Sequence, residues 1–210
     1  MPPLTSTSDI DLLRAWRAGD RAAGGVLLRR YFDGILRFFR NKVDHGAEDL
    51  VQQTFAACVE GRDRFREEAP FRAYLFAIAH NILCEYVRDR WRSREYLDLD
   101  KLSIVDLGAS PTARLAARGD EWLLLNALRQ IPLASQVILE LYYWERMTGP
   151  ELGLSMGLPE NTARSRLRKA KKQLEKTMSE LACSPAPLDS SISDLEQWAA
   201  RLRGQFAPPR

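Results

Sequence analysis

Between Phe71 and Val87 the residues Phe71, Tyr74, Leu75, Ile78, Ala79, Ile82, Leu83, Tyr86 and Val87 fall at i, i+3, i+4, i+7, i+8, i+11, i+12, i+15 and i+16. Only an α-helix gathers that series on one face, and a stripe held for over four turns must be buried against other elements. Pro70 stands just before it, where a helix has no use for the missing N–H. A half-buried strand would show apolar residues at every second position, and no segment of the chain does so convincingly. The fold class expected is therefore all-α.

Three further helical patterns precede this one. Asp9–Ala18 carries Ile10, Leu13 and Trp16 on one side and stops at Gly19-Asp20. From Arg21 to about Val43, Val26, Leu27, Tyr31, Ile35, Phe38 and Phe39 recur at steps of three and four. The Gly24-Gly25 pair should weaken its first turns by about 1 kcal/mol per glycine relative to alanine. Ala47–Glu60 should turn Leu50, Val51, Phe55 and Val59 inward. Four such helices can close one small core.

The pattern breaks over Ser93–Arg114, an acidic stretch with Gly108 and Pro111. So long a loop inside one domain is uncommon, which makes it a flexible linker between two domains. Helical spacing resumes near Leu115, with Leu123, Leu124, Ala127 and Leu128 before Pro132, then Val137, Ile138, Leu141 and Tyr142 between Leu133 and Trp144. The domains expected are residues 1–92, a linker 93–114, a second domain 115–182 and a tail 183–210. Inside the tail, Ile192, Leu195, Ala199, Leu202 and Phe206 form a narrow stripe, too short for a stable isolated helix. It either docks on a surface of the protein or a regulatory partner, or remains an appendage.

Composition narrows the class. With 45% hydrophobic and 28% charged residues the chain reads as globular. No apolar run is long enough to cross a membrane, and the first ten residues lack a secretory pattern, so a cytoplasmic location is expected. Cys58, Cys84 and Cys183, with His45 and His80, fit neither a disulfide framework nor a metal site; no cofactor and no catalytic constellation is expected. The net charge of +3 says little, but its distribution is uneven: Glu160–Lys176 holds seven basic residues and two acidic ones.

That basic stretch follows a turn with its own logic. Thr148-Gly149-Pro150-Glu151 is a capping box for a short helix, Met156-Gly157-Leu158 is a tight turn, and Pro159 opens the next helix. Helix, three-residue turn, helix is the helix-turn-helix arrangement, whose second helix enters the DNA major groove. Ala163, Leu167, Ala170 and Leu174 form its inward stripe. Asn161, Thr162, Arg164 and Ser165 stand where base edges can be reached, and Arg168, Lys169, Lys171 and Lys172 suit phosphates. An isolated basic run is more often a solvated face; the capped helix and glycine turn ahead of this one favour DNA.

Leu158–Ala170 resembles the recognition helix of bacterial RNA polymerase sigma factors. Asp49-Leu50-Val51-Gln52-Gln53-Thr54-Phe55 resembles the sigma segment that docks on the polymerase clamp helices. Phe65-Arg66 and Phe71–Asn81 resemble the promoter-melting segment that reads the minus-10 element. Two such domains without a middle one point to the extracytoplasmic-function group. The resemblance covers about residues 9–92 and 115–178. It departs from the usual pattern at Asn161, Ala163 and Gly153, and Gly153 should loosen the short first helix.

The resemblance implies core RNA polymerase and promoter DNA as partners, with an anti-sigma factor or other regulatory protein as a further class. It implies polymerase contacts from Asp49, Gln52 and Gln53, and minus-10 contacts from Arg66, Asn81 and Arg88. For Phe65 two readings stand side by side, a wall for a flipped base or a plug beneath the loop. His80 reads better as a structural histidine than as a DNA reader. The acidic linker should, by resemblance, thread toward the RNA exit channel. The rival is a free-standing helix-turn-helix regulator, which would have no need of the Asp49–Phe55 and Phe71–Asn81 segments.

Overall fold

The structure, a computed structural model, describes residues 7–43, 45–90, 98, 100–105 and 120–181. These form eight α-helices with no strand among them. The first domain holds α1 (Asp9–Arg17), α2 (Arg21–Arg40), α3 (Ala47–Gly61), a single 3-10 turn (Arg62–Arg64) and α4 (Phe71–Arg90). The second holds α5 (Asp120–Gln130), α6 (Leu133–Tyr143), α7 (Gly149–Met156) and α8 (Glu160–Leu181).

Local chemistry sets the helix starts. The Ser8 hydroxyl accepts from the Asp11 N–H, and the Asp20 carboxylate from the N–H groups of Ala22 and Ala23. Each satisfies donors that the first helical turn leaves without a partner. The Gly24-Gly25 pair does not interrupt α2. Gly24 lies against the Trp16 ring, and a Cβ there would come within 2.6 Å of it. The glycine lets α1 and α2 approach closely, which offsets its weak helix propensity.

The predicted inward faces need three corrections. Leu12, not Ile10, joins Leu13 and Trp16 in the core, and Ile10 is exposed. Phe55 is half-buried and Val59 is 37% exposed; among the described residues, Phe32 of α2, itself exposed, stacks on Phe55 at the outer side of α3. On α4 the buried set includes Ala73 and Phe76, which lie off the stripe, while Tyr74, Ile78, Ile82 and Tyr86 are half-buried.

The cause of the last difference is that α4 is covered twice, by α3 on one side and by α7 of the second domain on the other. The domains are packed together. Likewise α6 is buried along its whole length from Leu133 to Leu141, including Ser135, Gln136 and Glu140. Part of the predicted linker also has fixed partners. Ser103 pairs with Pro132, the Leu133 N–H donates to the Leu102 carbonyl, Ile104 is buried, and Asp100 meets Arg166 at 2.9 Å. Residues 91–97, 106–119 and the tail 182–210, with its Ile192–Phe206 stripe, lie outside the described residues.

Polar side chains cross between the domains in one direction of charge. The Lys42 ammonium, fully buried, donates to Glu140 and to the Phe38 carbonyl and lies 4.0 Å from the Phe38 ring centre. Arg37 donates to Glu145 at 2.6 Å. Arg72 donates to the Glu145 carbonyl at 2.7 Å and to Glu151 at 2.6 Å. The Ser155 hydroxyl donates to the Ala73 carbonyl at 3.2 Å. Burial pulls the Lys42 ammonium below its ordinary pKa, against the pull of Glu140.

Candidate nucleic-acid and protein interfaces

Asp49, Gln52 and Gln53 occupy the exposed face of the first turns of α3, while Leu50, Val51, Thr54 and Cys58 face inward. Beside them lies an apolar strip that the sequence pattern missed. Phe32 of α2 is 44% exposed and stacks on Phe55 with ring centres 6.1 Å apart and planes within 8°, next to Val59. An aromatic residue set off the inward stripe of α2 was the available clue. Amide, carboxylate and apolar groups thus form one continuous surface suited to a protein partner.

The loop from Arg62 to Pro70 is shaped by α1. The Arg17 guanidinium donates to the carbonyls of Arg62 and Phe65 and to Glu67, which Arg14 also meets at 2.9 Å. Glu67 itself has φ +59°, a left-handed conformation that few non-glycine residues adopt. Phe65 stacks on Tyr74 at 4.6 Å and meets Phe71 edge-on at 6.2 Å, so the plug reading describes its place here. Arg66 is exposed on the outer side.

Along α4, Asn81 and Arg88 are exposed. His80 is not beside them. It faces the second domain, lining a small gap with Leu83, Cys84, Leu133, Ala134 and Val137. Burial, helped by the positive charges of Arg166, Lys42 and Arg88, lowers its pKa to about 4. Cys84 sits 3.6 Å from its Nε2, and burial pushes the thiols of Cys84 and Cys58 up, Cys58 to about 12. Thiols held protonated are packing groups rather than nucleophiles. Arg90 lies on the Tyr86 ring.

The helix-turn-helix forms as the sequence predicts. The Glu151 carboxylate accepts from both the N–H and the hydroxyl of Thr148, each at 2.8 Å. Burial pushes the Glu151 carboxyl up, but its bonds to Thr148 and Arg72 outweigh this and hold it below its usual range. Gly157 ends α7 at φ +64°. Gly153 does not loosen α7: a Cβ there would lie 2.7 Å from the Leu158 carbonyl oxygen, so the glycine permits the closest approach in the turn.

On α8, Ala163, Ala170 and Leu174 are buried. Asn161, Thr162, Arg164, Ser165, Arg168, Lys169 and Lys172 are exposed. Arg164 is paired with Glu160 one turn earlier, at 2.6 Å. Lys171 differs from its neighbours: it is half-buried, with its ammonium 4.4 Å from the Tyr142 ring centre and 5.2 Å from that of Tyr143.

A helical domain with an acidic and amide-bearing face, coupled to a helix-turn-helix with an exposed basic second helix, defines a DNA-binding protein that also engages a protein partner. Two family models match, Sigma-70 region 2 over residues 27–93 and Sigma-70 region 4 over residues 121–174. The RNA polymerase sigma factor NccH of Alcaligenes xylosoxydans xylosoxydans is 27% identical over 172 residues, 79% of this chain and 92% of that protein. The ECF RNA polymerase sigma-E factor of Escherichia coli (strain K12) is 23% identical over 177 residues, 80% and 93% of the two chains. The solved structure of CnrH in complex with the cytosolic domain of CnrY matches with a TM-score of 0.61 at 24% identity, over 83% of this chain and 99% of that one.

The chain belongs to the sigma-70 family and is an RNA polymerase sigma factor that directs transcription initiation. No described helix is long and apolar enough to cross a membrane.

Proposed function

We propose a division of labour among named surfaces. The α3 face of Asp49, Gln52 and Gln53, extended by Phe32 and Phe55, binds core polymerase. The loop carrying Arg66 and the exposed side of α4, with Asn81 and Arg88, engages the minus-10 element. The start of α8, with Asn161, Thr162, Arg164 and Ser165, reads the minus-35 element, while Arg168, Lys169 and Lys172 contact phosphates. Lys171 contributes through its packing on Tyr142 rather than as a free phosphate ligand. The protein does no chemistry itself; polymerase does. It acts in the cytoplasm, where promoter DNA is.

The observation that carries this reading is that these residues are solvent-exposed, apart from the half-buried Phe55 and Lys171, while Leu50, Val51, Leu83, Val87, Ala163 and Ala170 on the same helices are buried. Replacing Asp49 and Gln52 together by alanine should weaken binding to core polymerase at least tenfold, with helical circular dichroism unchanged. Unaltered affinity for core polymerase would remove α3 from the interface. By analogy with CnrH, solved in complex with the cytosolic domain of CnrY, the protein also binds a regulatory protein.

A further inference from the structure

The short segment 100–105 lies ahead of the region 4 match, which begins at residue 121, yet it is stitched to the second domain. The Leu133 N–H donates to the Leu102 carbonyl at 2.9 Å, and the Val105 N–H to the Arg129 carbonyl at 3.3 Å. Ser103 and Ile104 between them are buried. The Asp98 carbonyl accepts from the N–H groups of Lys101 and Leu102, which closes a turn, and the Asp98 carboxylate takes the Lys101 ammonium at 3.2 Å. The other acid of the turn, Asp100, faces α8, where Arg166 donates to it at 2.9 Å.

Arg166 differs from the cations around it. On the helical wheel it falls between the exposed Thr162 and the buried Ala170, so it flanks the stripe that faces DNA. A helix in the major groove meets base edges along its centre and phosphates along its flanks, so this is a place from which an arginine reaches the backbone. Arg164 is also paired, but with Glu160 of its own helix, and both members are largely exposed. Arg166 is only 25% exposed, and its partner is carried by a segment with backbone anchors of its own. An ion pair between two freely moving surface chains is weak, chiefly because both must be ordered. Here the backbone bonds and the burial of Ser103 and Ile104 hold the carboxylate in place.

We propose that Asp100 is a positioning residue for DNA binding: carried by the strap at 100–105, it occupies Arg166 and withholds one phosphate contact from the recognition helix. The inference rests on the assignment of α8 to promoter DNA. A phosphate contact strengthens binding to every sequence, so the pair lowers the sequence-independent part of the affinity and leaves base reading to Asn161, Thr162, Arg164 and Ser165. Lys171 on the opposite flank is engaged in the same sense by the Tyr142 ring. The strap is thus a working part of the DNA-binding domain, although it lies outside the helix-turn-helix.

The test is fluorescence anisotropy of the full chain and of Asp100→Asn, Arg166→Gln and the double variant, titrated with a random-sequence duplex and with the duplex that wild type selects from a randomised pool. Asp100 is about half exposed and asparagine keeps its shape, so the fold survives the substitution. Asp100→Asn should tighten binding to both duplexes and steepen the fall of log affinity with log salt by about 0.9, which makes its gain about 3.5-fold larger at ~50 mM than at ~200 mM salt. Arg166→Gln should leave the wild-type salt slope unchanged, and the double variant should return to it. Asp100→Asn binding like wild type overturns the proposal, as does a shallower slope for Arg166→Gln, which would mean that Arg166 already contacts phosphate. A gain that persists in the double variant comes from lost repulsion by the carboxylate and overturns it too. Failure of wild type and every variant to bind either duplex overturns instead the assignment of α8 to DNA.

Discussion

The two glycines of the helix-turn-helix make separable demands, and asparagine tells them apart. Gly157 is at φ +64° with no atom within 4 Å of where a Cβ would be, so its requirement is purely conformational. Asparagine enters the left-handed region more readily than other non-glycine residues. Gly157→Asn should therefore cost less than about 1 kcal/mol, and Gly157→Ala about 1–2 kcal/mol. Gly153 is helical, but its Cβ would stand 2.7 Å from the Leu158 carbonyl oxygen and 3.4 Å from the Glu160 nitrogen. Those are backbone atoms of the turn and of α8, so relief requires α7 and α8 to separate. Overpacking of this kind costs about 1–3 kcal/mol, partly offset by roughly 0.3 kcal/mol of better helix propensity. Gly153→Asn should therefore lower the melting temperature by several degrees, at roughly 2–4 °C per kcal/mol for a chain this size. It should also weaken upstream-promoter binding in fluorescence anisotropy, because the recognition helix is tilted. Equal melting temperatures and DNA affinities for the two asparagine variants would show that the turn is not held by this close approach.

Three further outcomes follow from the same structure. Arg164→Ala should cost about 1–3 kcal/mol at one promoter position, whereas Lys172→Ala should weaken all sequences alike and reduce the salt dependence of binding; a selection experiment across salt concentrations separates them. Lys42→Met leaves the buried Glu140 without its ammonium partner, with the Gln136 amide at 2.9 Å, and should destabilise the protein by about 3–5 kcal/mol in urea, while Lys42→Met with Glu140→Leu should recover most of that loss. His80, neutral in the folded protein with its pKa lowered to about 4, favours folding fully above about pH 6.5 and loses that contribution as pH falls toward 4. By pH 5 wild type should have lost about 2 kcal/mol more than His80→Gln, measured by thermal unfolding across that range.

The periodicity of Phe71–Val87 and the Thr148–Pro159 turn chemistry located α4, α7 and α8 because each rests on short-range rules that operate within one helix or turn. Failures came where a second surface intervened. Ala73 is buried where Ser155 of α7 meets its carbonyl, Phe76 lies against Phe38 of α2, and Glu140 is buried where Lys42 meets it; none of these can be read from the spacing of a single helix. Gly24 and Gly153 read as weak points in sequence, since propensity counts the missing side chain but not the neighbour that fills its place. The exposed residues of the recognition helix were legible as a group, yet Lys171 looked like the lysine beside it until Tyr142 was placed beneath it.

The bonds from Arg17 to the carbonyls of Arg62 and Phe65 set a rule for cutting the protein into pieces. The region 2 match begins at residue 27, ten residues after Arg17, so a fragment made to that limit would contain the loop and α4 but not the side chain that shapes the loop. Such a fragment would begin inside α2, keep α3 and α4, lose the core residues Leu12, Leu13 and Trp16 of α1, and mis-set the DNA-facing Arg66. The smallest unit that can be transplanted with its promoter contacts intact therefore starts at the Ser8 cap, ahead of the stretch that similarity alone delimits.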